Sequence, residues 1–410
     1  MPEKIVITGM GTLNPLGLSI KESWENALAG RSGINPISLF DTAGYLVKVA
    51  GEVKDFQPEV VMPAREARRR DRFEQFASAA AQQAIQQAGL EVKESQSDRV
   101  GVIISSAIGG LNTLQDLILT VTNQGPRRAN PFAIPMLMSN GGAGIVSIEN
   151  NLRGPSLSVA SACASGADGI GMAWLMLRTG VIDVAVTGAS ESTITPTGIA
   201  AFDRLGAMSR RNDGSSPAPF DRDRDGLVMG EGAAVLILER ESYARARGAE
   251  ILAELAGYAA TADAFHVTAP AEDGFGGAAA MRLAMQTASV NPQEVSYINA
   301  HGTATQLNDL AETRAIKAAF GNIAYNIPVS STKSMTGHMM GATGALEVIF
   351  CVQAIRENVI PPTINYRHLD PECDLDFVPN EARPAVINVA VSNAFGFGGH
   401  NAVLIIRKYT

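Results

Sequence analysis

The sequence predicts an α/β fold assembled from two related halves, and three observations carry that prediction. Short, continuously apolar runs such as Val100–Ser105 and Val181–Thr187 alternate with longer helical stretches. Strands of that kind are buried on both faces, which points to a largely parallel sheet covered by helices. Gly232–Arg240 and Asn401–Lys408 are similar strands, each preceded by a glycine-rich stretch, Gly226–Gly232 and Gly396–Gly399. Val184–Gly188 resembles Val389–Asn393 in the same order, so the pattern repeats along the chain.

The elements follow in order. Lys4–Thr8 reads as a first strand, Gly9-Met10-Gly11 as its tight turn, and Ile20–Ala29 as a helix. A third glycine and an acidic partner are missing, so this GxG does not read as a dinucleotide fingerprint. A helix over Phe73–Ala88 leads to the strand Val100–Ser105 and the turn Ala107–Gly110. Leu157–Val159 ends a short strand, and Ile170, Trp174 and Leu177 predict a helix from Ser165 that stops at Gly180. Glu239–Gly248 reads as a polar connecting helix, which divides the chain into residues 1–248 and 249–410. Beyond it, Val295–Ala300 and Val329–Ser331 read as strands, and a mostly apolar helix covers Ala342–Arg356.

Composition excludes several classes of function. The chain has 410 residues, 46% of them hydrophobic and 18% charged, a balance that suits a large packed core and not disorder. A net charge of −8 argues against general nucleic-acid binding. No apolar run is long enough to span a bilayer, and MPEKIVITGMG lacks the layout of a secretory leader. Three cysteines do not make a disulfide framework, so a reducing, cytoplasmic setting is the expectation.

Cys163 lies at the expected strand-to-helix turn, where the first helical N–H groups lack intrahelical partners. Those donors and the helix dipole favour a thiolate, so the pattern predicts a lowered pKa and a nucleophile. A buried structural cysteine is the commoner fate, and position alone leaves both readings open. The second half supplies partners. His301-Gly302-Thr303-Ala304-Thr305 and Lys333-Ser334-Met335-Thr336-Gly337-His338 each follow a strand end, where α/β folds place chemistry. A zinc site is the rival use of one cysteine and two histidines, but the short paired ligand spacing is absent. Asn393-Ala394-Phe395-Gly396-Phe397-Gly398-Gly399 offers flexible glycines around bulky rings and a backbone N–H suited to an oxyanion.

Together, Ser161–Gly166, His301–Thr305, Lys333–His338 and Asn393–Gly399 resemble the β-ketoacyl-[acyl-carrier-protein] synthases, condensing enzymes of the thiolase-like superfamily. The resemblance covers essentially the whole chain; the Cys-His-His set is similar to that of the elongating enzymes, and the length, Ile108 and the Phe202/Phe395 pair resemble type II. It implies two pseudo-symmetric halves with mixed, largely parallel five-stranded sheets in αβαβα layers. It implies a decarboxylative Claisen condensation in which Cys163 carries the acyl group. His301 and His338 stabilise the enolate, Lys333 orders the site, and the Phe395 backbone completes an oxyanion hole and gate. Asp309 and Glu312 match acidic positions that support the site. Ile108 matches the floor of the acyl pocket, Phe202 a gate position, and Thr268, Thr303 and Thr305 residues that bond the phosphopantetheine arm. A homodimer and an acyl-carrier-protein partner are implied, and the basic residues Arg65, Arg68, Arg69, Arg127 and Arg128 suit docking of that acidic carrier. No cofactor is expected, although some relatives hold a structural monovalent cation near positions matching Asn299, Glu347 and Asn393. Type I synthases, polyketide ketosynthases and non-catalytic carrier-binding partners are the alternatives.

Overall fold

A computed structural model describes residues 3–410, and its centre is one ten-stranded sheet to which the two halves contribute equally. The first half supplies β1 (Ile5–Leu13), β2 (Val100–Ser105), β3 (Ser156–Leu157), β4 (Val184–Glu191) and β5 (Gly232–Arg240). The second supplies β6 (Ala253–Ala262), β7 (Tyr297–Asn299), β8 (Val329–Ser330), β9 (Val389–Gly396) and β10 (His400–Arg407). The spatial order is β8-β7-β9-β10-β6-β1-β5-β4-β2-β3. Read outward from the centre, the halves repeat one another, with β1 matching β6, β5 matching β10 and β4 matching β9. The repeat seen in the sequence is therefore a repeat of strand positions. The halves join where β1 and β6 pair antiparallel through Val6–Glu254 and Ile7–Ala253.

The sheet is mixed, as expected, with a larger antiparallel share than the apolar runs suggested. In each half the three outer strands pair in parallel, whereas the longer ladders, β4–β5, β5–β1, β9–β10 and β10–β6, are antiparallel. Helices cover both faces, so the antiparallel strands are as continuously apolar as parallel ones; all of β1 is buried. Gly9 and Gly11 do not form the expected turn, because β1 runs through them to Leu13. A Cβ at Gly11 would lie 2.1 Å from the Ala80 carbonyl oxygen, so the glycines let a helix backbone settle on the strand.

The helices that build the layers are α1 (Ile20–Leu28), α2 (Arg72–Ala88), α3 (Leu111–Gln124), α4 (Ser165–Arg178), α5 (Pro196–Arg204), α6 (Phe275–Ala288), α7 (Gln306–Phe320) and α8 (Thr343–Glu357). Asp71 and Glu74 form a capping box that fixes the start of α2. Helix α2 covers the outer face of the first half, and α6 and α7 cover that of the second. Between the sheet halves lie α4 and α8, whose side chains pack against β1, β5, β6 and β10 in one shared core. Burial on all sides explains why α8 lacks a polar face and reads as mostly apolar.

Phe350 on α8 is 1% exposed, with its ring 5.9 Å from that of Trp24. Phe350→Ala should cost about 3–5 kcal/mol, measured by chemical denaturation. A loss below about 1 kcal/mol would show that the middle layer is not the core both halves share.

Candidate active site

The parallel strands of both halves end at the same place. Cys163 follows β3, Glu191 ends β4, His301 follows β7, Lys333 follows β8, and the Phe395–Phe397 turn closes β9. Cys163, His301, His338, Phe202, Phe395, Phe397, Thr268, Thr303 and Thr305 line one cavity of about 300 Å³.

Cys163 sits on a tight turn just before α4. Ala162 adopts φ +51°, a left-handed conformation that costs a non-glycine residue on the order of 1 kcal/mol. The turn is held by the Ser161 N–H donating to Ser165 Oγ (3.0 Å) and by the Ser165 hydroxyl donating to the Ala162 carbonyl (2.6 Å). Burial pushes the Cys163 thiol up to about 11, against the pull of Lys333 and of the backbone N–H groups of Phe397 and Cys163 itself. The lowered pKa expected from the helix start is thus corrected. The donors are present, but removing the thiolate from water outweighs them.

Beside the thiol, the backbone N–H of Phe397 is among the groups that favour the thiolate. The Phe395 ring lies 5.9 Å from that of His301. Which backbone N–H of Phe-Gly-Phe-Gly-Gly lies beside the thiol depends on where β9 ends, and the motif alone does not reveal it.

The rings of His301 and His338 stand 5.4 Å apart and nearly perpendicular, at 85°. Both are buried, and both pKa values fall well below the ordinary histidine range. Burial is the main cause, reinforced by the Lys333 ammonium and, for His301, by His338. Each ring is therefore neutral and carries one N–H. His338 Nδ1 lies 3.1 Å from Thr343 Oγ1. With that hydroxyl donating, the imidazole proton resides on Nε2, a buried atom with no protein partner.

Behind the rings, Lys333 Nζ donates to Glu347 Oε1 at 2.5 Å, and both residues are 1% exposed. Glu312 accepts from the His301 and Gly302 N–H groups (2.8 and 2.7 Å) and from the Asn393 amide (3.1 Å), which fixes the His301 loop. Asp309 accepts from the Phe220 N–H at 2.7 Å and lies 3.8 Å from Arg224, a supporting position. Thr303 and Thr305 hydroxyls are 2.9 Å apart on the cavity wall.

One buried acid escaped the sequence reading. Glu191 accepts from Ser106 Oγ, the N–H groups of Ala107 and Ile108, and that of Gly341. It ties the Ile108 loop to the segment after His338, and burial pushes its pKa up to about 7. An acid ending a strand that is otherwise apolar and small was the signal available.

Ile108 is 40% exposed and lies outside the cavity lining of the single chain. Of the basic residues, Arg65, Arg68, Arg127 and Arg128 are exposed, while Arg69 pairs with Glu66 and stacks 4.5 Å from the Phe132 ring. That contact joins the two basic segments into one surface.

A buried thiol in one cavity with two neutral imidazoles, its thiolate favoured by nearby backbone N–H groups, suits acyl transfer through a thioester. Family models agree with that chemistry. The beta-ketoacyl synthase N-terminal domain matches residues 2–244, and the C-terminal domain matches 252–367. The chain belongs to the β-ketoacyl synthase family. This ketoacyl synthase is 47% identical over 409 residues to the 3-oxoacyl-[acyl-carrier-protein] synthase 2 of Synechocystis sp., covering 99% of this chain and 98% of the relative. It is 47% identical over 408 residues to the protein of that name from Staphylococcus aureus, covering 99% of both. Among solved structures, a beta-ketoacyl synthase from Burkholderia phymatum superposes with a TM-score of 0.92 at 34% identity over 100% of both chains. A type II polyketide ketosynthase in complex with its acyl-carrier protein superposes with a TM-score of 0.93, also at 34% identity over 100% of both chains.

Burial of the thiol makes a testable prediction for this ketoacyl synthase. With a pKa pushed up to about 11, alkylation of Cys163 should rise about tenfold per pH unit from pH 6 to 9, without a plateau. A plateau below pH 7, read by mass spectrometry of the Cys163 peptide, would mean that the thiolate is already formed.

Proposed function

We propose that this chain elongates fatty acyl groups by decarboxylative Claisen condensation of malonyl-acyl carrier protein with an acyl group held on Cys163. The observation that carries the reading is the single cavity shared by Cys163 and two neutral, mutually perpendicular histidines. Identity to the curated 3-oxoacyl synthases 2 is 47%, against 34% to the polyketide ketosynthase, which favours fatty-acid over polyketide elongation. The intact thiol and histidine pair argue against a non-catalytic binding partner.

In this mechanism Cys163 Sγ attacks the acyl thioester, and its proton leaves on the carrier thiol. The backbone N–H groups of Cys163 and Phe397 hold the tetrahedral oxyanion. Malonyl-acyl carrier protein then binds with its thioester oxygen between His301 and His338. Loss of CO2 places the electron pair in an enolate, and the two N–H donors stabilise it by on the order of 3 kcal/mol each. The enolate carbon attacks the acyl-Cys163 carbonyl, 3-oxoacyl-acyl carrier protein departs, and the thiolate takes a proton from water. Neutral imidazoles serve here because an N–H is needed at the enolate, not a mobile proton. Thr268, Thr303 and Thr305 line the path of the phosphopantetheine arm, and Phe202 and Phe395 flank it.

The two halves divide the labour: residues 1–248 bring the nucleophile, and 249–410 bring the histidines, Lys333 and the Phe395–Phe397 turn. The carrier docks on the surface of Arg65, Arg68, Arg69, Arg127 and Arg128. The chain acts as a homodimer in the cytoplasm. Apolar residues that a partner copy would cover include Leu114 (41% exposed), Ile118 (56%), Ile134 (62%) and Ile148 (81%). They lie in the segment that begins at Ile108, so the second copy would also close the pocket floor. Supporting the cytoplasmic setting, all three cysteines are unbridged; no helix among the described residues is long and apolar enough to cross a membrane.

The chemistry needs no cofactor, since CO2 loss itself supplies the carbanion. A structural monovalent cation fits the residues present. Asn299 Oδ1, Glu347 Oε2 and Asn393 Oδ1 are buried oxygens without protein partners, a donor set suited to a hard cation. These three would hold it, and its role would be to order Glu347 behind Lys333.

Intact-protein mass spectrometry with acyl carrier proteins bearing C6 to C16 chains tests the reading. An acyl mass should appear on Cys163 and vanish as 3-oxoacyl product forms after malonyl-acyl carrier protein is added. Cys163→Ala should abolish condensation, Cys163→Gln should still release CO2, and His338→Ala should lose decarboxylation at least about 100-fold. Carrier binding without any adduct would overturn the enzyme reading, and full decarboxylation by His338→Ala would overturn the paired donors. Ile108→Phe should shorten the longest chain loaded while sedimentation still reports a dimer. Unchanged loading of long chains would remove Ile108 from the pocket.

A further inference from the structure

Asp168 lies in the first turn of α4 and is 8% exposed. No Lys, Arg or His pairs with it among the described residues. Its two carboxylate oxygens serve two hydroxyls from different halves of the molecule. Oδ2 accepts from Ser161 Oγ, two residues before the nucleophile, and Oδ1 accepts from the Tyr258 hydroxyl of β6 at 2.7 Å. The Tyr258 ring lies over Gly171, where a Cβ would be 2.3 Å from the ring. A second bond across the same seam, from Trp174 Nε1 to the Leu255 carbonyl at 2.8 Å, fixes α4 against β6. A buried carboxylate without a cation is a costly way to anchor a helix that Trp174 already anchors. What it adds is a grip on Ser161, at the base of a turn whose Ala162 is in the left-handed region.

We propose that Asp168 is a positioning residue for the nucleophile: fastened to the second half by Tyr258, its carboxylate holds Ser161 and thereby the turn that presents Cys163. The brace rests on the condensing mechanism above and deepens it. It aligns the thiol from the first half with a cavity whose histidines belong to the second. Asp168 touches no reacting atom. Its loss should misplace the sulfur and leave the histidine pair intact.

The test compares two partial reactions of the full-length protein. Single-turnover transfer from acyl-acyl carrier protein to Cys163 is followed by quenched mass spectrometry, and CO2 release from malonyl-acyl carrier protein is followed in parallel. Asp168→Ala should slow acyl transfer at least about tenfold and change CO2 release less than about threefold. Asp168→Asn, whose amide both accepts and donates, should recover most of the rate. The Ser161→Ala/Asp168→Ala double variant should be no slower than the slower single variant. Should Asp168→Ala fail to fold, Tyr258→Phe keeps the ring over Gly171 and allows the same comparison. Parallel loss of both reactions, no recovery in Asp168→Asn, or multiplying effects in the double variant would overturn the brace. Failure of the unsubstituted protein in both reactions would instead overturn the condensing mechanism.

Discussion

A single buried ammonium governs the electrostatics of the site. Lys333 pairs with Glu347 behind the histidines, and its charge acts on several buried titratable groups of the site. It pulls down the pKa values of both histidines and works against burial at Cys163, Glu312 and Glu347. The same charge reinforces burial in keeping two imidazoles neutral and opposes burial at one cysteine thiol. A buried ion pair is weak evidence for stability, because desolvation offsets its attraction. Its value here lies in the field it sets up, which neither a methionine nor an exposed lysine would supply.

That field acts on groups from both halves because the fold is a duplication. Each half ends its parallel strands at the same level, and joining the halves through β1 and β6 brings both sets of strand ends to one cleft. Equivalent positions then carry different chemistry. Cys163 follows β3 where Lys333 follows β8, Ile108 follows β2 where His301 follows β7, and Glu191 ends β4 where Gly396 ends β9. The architecture repeats and the functional residues do not, so a reaction needing a nucleophile and separate donors draws each from its own half.

Much of this was legible because strand ends and glycine-bordered motifs are local. Cys163, His301 and Lys333 each follow a strand end, His338 closes the motif that Lys333 begins, and the repeat of β4–β5 as β9–β10 is written in similar residues. What stayed hidden depended on distance through space. The depth of Cys163 decides the sign of its pKa shift, and no spacing reports depth. Which backbone N–H of the Phe395–Phe397 turn lies beside the thiol is set by the closure of β9. Glu191 finds partners 83–85 residues before it and 150 after it, and Asp168 finds Tyr258 90 residues after it. Parallel and antiparallel strands look alike when helices cover both faces.

The polar groups left without protein partners sharpen the contrast between scaffold and site. Among the described residues, nine buried side-chain atoms lack such partners, and six of them belong to Asn299, His301, His338, Glu347 and Asn393. A folding sequence usually eliminates such atoms, since each costs about 1–3 kcal/mol. Their concentration around one buried lysine shows where the molecule departs from its own stability optimum. His338 Nε2, buried in the cavity wall without a protein partner, is placed to bond an oxygen that enters the cavity. Such a bond is stronger to a charged oxygen, because the surrounding dielectric is low. The donors are fixed before substrate arrives, so their strength is spent on the transition state and not on reorganising the protein.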